Sequence, residues 1–225
     1  MKRLGEPLLD QIALAAALGV FAAIQLIALH FIVSPIALPI GRHPWWDPAA
    51  EANVWTWANV AVLTMASLLC AERALARWRR RESWIGWAVT SSLLLALSLD
   101  DAASFHEKLG ELGRDLGGGA GWLHFAWVVP GAVIAAAFLL AFALHARRLV
   151  GAPRAFLLGG AGFLFTGAIG FEMVSGAYLA ASGHTDVYTY LYHVEEMLEA
   201  VGAALFLAAP LADLPEGQRR LRRVG

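Results

Sequence analysis

Asp100, Asp101, His106 and Glu107 fall within one apolar stretch of the sequence. Glu172 falls within a second, and His193, Glu195, Glu196 and Glu199 within a third; His30 stands in another. Carboxylates gathered in an apolar medium cannot all be ionised without a partner. Either they share protons or a cation neutralises them. No Lys or Arg is embedded at that level, and the nearby bases are histidines. A divalent metal ion (zinc, manganese or iron) fits this deficit, held by imidazole and carboxylate. His193 and Glu196 stand three apart, as His and Glu do in di-iron and di-manganese helix bundles, although the order is reversed and the pair occurs once. The expected ligands are Asp100, His106, Glu172, His193 and Glu196. Glu199 or Glu107 is then left as general base, acting on water or oxygen activated by the metal.

Such chemistry needs elements that bring three distant stretches to one level. A bilayer core takes about 20 apolar residues per helix. Six segments qualify, at about 9–33, 53–71, 84–109, 121–146, 154–181 and 187–211, followed by a basic tail at 212–225. The sequence predicts an all-α polytopic membrane protein, a bundle of six transmembrane helices forming a single domain. Lys2 and Arg3 precede the first segment. Arg73, Arg77, Arg79, Arg80 and Arg81 lie around the second loop, and Arg147, Arg148 and Arg154 around the fourth. Arg219, Arg220, Arg222 and Arg223 fill the tail, while the remaining loops hold only Arg42, Lys108 and Arg114. Positive charge marks the cytoplasmic side. Both termini are therefore expected in the cytoplasm, with the chain in the inner cell membrane. Tryptophans at the segment ends, Trp127 and Trp87 among them, suit an aromatic belt at headgroup level.

With that orientation, Asp100, Glu172 and Glu196 lie roughly 10–15 Å below the extracytoplasmic helix ends, at 1.5 Å rise per residue. At about 100° per residue, Asp100, Ser104 and Glu107 share one side of their helix. Glu172, Ser175 and Gly176 share another, and His193, Glu196 and Glu199 span about 120° of the last helix. Glu195 and Asp101 are expected to point away. Six glycines in the fifth segment, from Gly159 to Gly176, suit close helix packing inside the bundle. Gly117, Gly118 and Gly119 suggest a mobile loop on the outer side.

Composition narrows the function. Apolar residues make up 59% of the 225 residues and charged ones 16%, with mean hydropathy +0.59. Soluble domains average about 45–50% and about 25%, so the excess fits lipid contact. The net charge of −1 offers no basic field for nucleic acid. The single cysteine, Cys70, rules out an intrachain disulfide. H-E-x-x-H, G-x-S-x-G and phosphate-loop motifs are missing. An acid on one helix with His on another loosely resembles the seven-helix zinc hydrolases of the ceramidase and progestin-receptor type. Their H-x-x-x-H pair on the last helix is missing here, and no residue is carried over. The expected function is a metal-dependent membrane enzyme, a hydrolase or oxidoreductase, acting on a lipid or lipid-like substrate. The rivals are a proton- or cation-coupled transporter using the same acids and an accessory subunit of a larger membrane complex. A fourth reading is a b-type cytochrome ligated by His30, His106, His124 or His193.

Overall fold

The computed structural model describes Asp47, Ala50 and residues 53–213. The first predicted segment with His30, and the basic tail at 214–225, lie outside the described residues. Everything regular within them is helical. In chain order, α1 is Val54–Arg79 and α2 Ile85–Ala103, followed by two short helices, α3 Phe105–Lys108 and α4 Gly110–Asp115. A 3-10 turn at Gly121–Leu123 leads to α5 Val128–Ala146. Next come α6 Ala152–Phe165, a π-helical turn Thr166–Phe171, α7 Glu172–Ser182 and α8 Asp186–Leu211. Among the described residues, four stretches are long and apolar enough to cross a membrane: α1, α2, α5 and the continuous Ala152–Ser182. Helix α8 has 26 residues, about 39 Å at 1.5 Å per residue, but it carries Asp186, Glu195, Glu196 and Glu199. The outer faces are greasy: Trp57 is 71% exposed, Val133 72% and Leu68 64%. That distribution suits lipid contact.

The helices start and stop for local reasons. The Asn53 side chain accepts from the Thr56 backbone N–H at 2.8 Å and caps α1. Arg77 and Arg79 sit in its last turn, where cations suit the helix dipole. The third predicted segment does not run unbroken to 109. Ser104 takes a left-handed conformation (φ 47°), and the chain restarts as α3. The fourth begins later than expected, with 3-10 geometry before Val128. Pro130 therefore falls in the first turn of α5, where a missing N–H breaks no helical bond.

Helices α1 and α2 run antiparallel, joined by Thr64–Ser98 at 2.9 Å and by Ser67 with Ser91. Helix α6 crosses α8 at two glycines. A Cβ on Gly202 would lie 2.6 Å from the Leu164 nitrogen, so backbone meets backbone there. Leu63, Leu94, Phe142, Leu157 and Phe206 fill the centre, with Phe142 and Phe206 rings 4.9 Å apart. One end of the bundle is closed by a buried network. Arg77 donates to both oxygens of Asp213 at 2.8 and 2.9 Å, and Trp87 Nε1 donates to Asp213 Oδ2 at 2.9 Å. The His145 ring meets Trp87 edge-on and bonds Thr90 at 2.8 Å. Trp87 is thus a core anchor and not part of an interfacial belt. Arg79, Arg80, Arg81, Arg147, Arg148 and Arg154 are exposed around this closed end.

Candidate functional site: an acid-lined cavity

The opposite end of the bundle holds a cavity of about 530 Å³. It is walled by the outer turns of α1, α2, α5 and α8, by α3, and by the π turn with α7. Seven carboxyl side chains line it: Asp100, Asp101, Glu107, Glu172, Glu195, Glu196 and Glu199. No Lys or Arg stands among the described lining residues.

Four of these acids have an identifiable hydrogen-bonding support. Asp100 spans the break at Ser104: its Oδ1 accepts from the His106 backbone N–H at 2.8 Å, and its Oδ2 faces His106 Nδ1 at 3.1 Å. One carboxylate thus caps the restarted helix and holds the imidazole, whose ring also leans on Trp127 at 4.8 Å. Asp101 accepts from Asn59 Nδ2 at 3.0 Å. Glu172 follows directly on the π turn and accepts from Trp127 Nε1 at 3.0 Å. Glu195 is buried and accepts from Ser175 Oγ at 3.4 Å; the same hydroxyl donates to the Glu172 carbonyl oxygen at 3.2 Å, so both acidic residues meet at one serine. Carboxyls gathered in a buried site do not all ionise without a partner: they share protons or take up a cation. Glu199 lies deepest, beside Gly167: a Cβ there would come within 2.8 Å of both Glu199 Cγ and the Glu195 carbonyl oxygen.

Of the expected ligands, Asp100, His106, Glu172 and Glu196 line the cavity, as do the expected bases Glu107 and Glu199. His193 does not. Its Nδ1 donates to the Thr189 carbonyl at 2.7 Å, and its buried ring packs on Tyr192. Glu195 lines the cavity instead, contrary to expectation. His193 and Glu195 stand about 160° apart around α8, so one face cannot present both. The face that turns inward runs through Tyr188, Tyr192, Glu195 and Glu199. Asp101 was also expected to point away, yet it reaches Asn59 from one flank while Asp100 bonds forward to His106 from the other. Trp127, assigned to the belt, donates into the site. Sequence reasoning passed over Asn59, whose signal was an amide inside an apolar segment. His124 is not among the lining residues. Among the described residues, no group of three or more His, Cys, Asp and Glu side chains has the geometry to hold a metal ion. Four of the acids accept from other side chains: Asp100 from His106, Asp101 from Asn59, Glu172 from Trp127 and Glu195 from Ser175.

A family profile described as a domain of unknown function (DUF8692) matches residues 12–214 of the 225, and the chain belongs to that family. No curated protein and no solved structure matches it.

Proposed function

We propose that this family member is a six-span inner-membrane protein with both termini cytoplasmic, and that its cavity binds cations in exchange for protons, as a proton- or cation-coupled transporter does. The observation that carries this reading is the gathering of seven acids in the cavity with no described Lys or Arg beside them, Glu172 and Glu195 meeting at Ser175. A proton held between two acids is released when a cation arrives, and that exchange is the elementary step of coupling. The π turn just before Glu172 adds support. Interrupted helices at mid-membrane sites are a recurring feature of transporters, and π turns concentrate at functional sites. Purified protein in a weakly buffered solution with a pH dye tests the reading. Additions of sodium, manganese or octylammonium chloride should release protons with at least one of them. Glu195→Gln and Glu172→Gln should each abolish that release. Cation binding with no proton release, or release that Glu195→Gln leaves intact, would overturn the proposal.

A second reading is the metal-dependent enzyme on a lipid-like substrate, favoured by the Asp100–His106 pair. A carboxylate on one ring nitrogen fixes the tautomer and orientation of metal-binding histidines. Zinc, manganese or iron would then be held from the Asp100–His106 side, with Glu199 or Glu107 as base. Stoichiometric metal in the purified protein, lost in His106→Ala, would put this reading first. Without metal or proton release, the accessory-subunit reading takes its place.

A further inference from the structure

We infer that the cavity receives the protonated amine head of an amphiphile, a primary or secondary ammonium on an apolar body. This rests on the cation-binding reading and names the class of cation. Four features of the cavity point to it.

The first is size. At about 530 Å³ the space far exceeds a metal ion or a hydronium, and it falls within the 300–1,000 Å³ typical of small-molecule pockets. The second is polarity along the bundle. On α1 the wall passes from Asn59 to Leu63 one turn deeper, and on α2 from Asp100 to Leu97. Phe138, Leu164 and Phe165 complete the apolar depth. A ligand that fills both ends has a charged head and an apolar body. The third is the sign of the head. Carboxyls line the polar end with no described Lys or Arg beside them, and the rings of Trp127, Tyr188 and Tyr192 border it. Aromatic faces attract cations, most strongly where water is excluded.

The fourth feature selects the kind of ammonium. Asn59 is 7% exposed and lines the cavity beside Asp101. Its Nδ2 is used on Asp101, and its buried Oδ1 has no hydrogen-bond partner. A buried acceptor left unpaired is a standing penalty that a donor relieves. A primary or secondary ammonium carries N–H donors, whereas a quaternary ammonium carries none. The orphan acceptor therefore favours the former.

Full-length protein in phosphatidylcholine nanodiscs, read by native mass spectrometry against empty nanodiscs, provides the test. Dodecylammonium should form a one-to-one adduct. Dodecyltrimethylammonium should bind at least about tenfold more weakly, and dodecyl sulfate should form no adduct. Asn59→Leu should weaken dodecylammonium by roughly 10–100-fold, the range for a hydrogen bond to a charged group, and leave the trimethyl analogue unchanged. Equal binding of the primary and quaternary amines, or of dodecyl sulfate, would overturn the inference without any variant. Proton release by sodium or manganese with no dodecylammonium adduct sinks this inference alone. An adduct without proton release keeps it and ends the coupled-transport reading.

Discussion

His193 and Glu195 are two residues apart in sequence and do opposite work. The imidazole donates to the Thr189 carbonyl and packs on the Tyr192 ring, whereas the carboxyl lines the cavity and accepts from Ser175. His193→Ala should therefore leave cation-driven proton release unchanged. It should still cost about 1–3 kcal/mol of stability, because a buried, hydrogen-bonded ring is lost. Thermal unfolding in detergent, run beside the dye assay, separates the two effects. Loss of the cation response with stability intact would return His193 to the site. At this scale the sequence revealed which acids are embedded but not how they face. A repeat such as H-x-x-E-x-x-E fits a helix face shifted by one residue almost as well as the true one, and only the neighbours choose. Asn59, Ser175 and Trp127 make that choice by donating to Asp101, Glu195 and Glu172.

The element that sets the depth of Glu172 is the π turn Thr166–Phe171. An extra residue in that turn rotates everything after it, so α7 presents Glu172 where a straight α-helix would present a neighbour. Gly167 lets the turn lie against α8. Alanine there would put a methyl 2.8 Å from the fixed Glu195 carbonyl oxygen, and the helices would have to separate. Gly167→Ala should lower stability by about 1–3 kcal/mol, the usual cost of overpacking, and should reduce the cation response together with it. Gly162→Ala is the matched control on the same span: nothing lies within 4 Å of its added methyl, and both readouts should stay near wild type. A silent Gly167→Ala would mean that the contact is slack and that the turn does not position Glu172. Helix existence was legible from length and hydropathy, since four spans and α8 fall close to the predicted segments. The breaks were not. Ser104 and the π turn contain no proline, and the glycines of the fifth segment were read as packing residues. The break at Ser104 is held by Asp100 bonding forward to His106, a tertiary feature hidden from a linear hydropathy pattern.

At the scale of the whole molecule, the main arginine cluster and the cavity lie at opposite ends. The Arg77–Asp213–Trp87 network closes one end, and exposed arginines surround it. The acids gather toward the other end, where the loop between α4 and α5 carries no Lys or Arg. Lys and Arg bias loops toward the cytoplasm, and acidic residues contribute little to that bias. The proposed orientation therefore places the cavity mouth on the extracytoplasmic side. Single cysteines can report it, because the native Cys70 is fully buried and silent to bulky reagents. Ala120→Cys stands in an exposed loop at the acidic end, and Ser83→Cys in an exposed turn among the arginines. In intact cells an impermeant maleimide should modify the first and spare the second, and permeabilising the cells should expose both. Both substitutions are small, surface changes, so folding should be unaffected. If Ser83→Cys reacts in intact cells while Ala120→Cys does not, the bundle is inverted. The cavity would then open to the cytoplasm, and its cation would come from inside the cell.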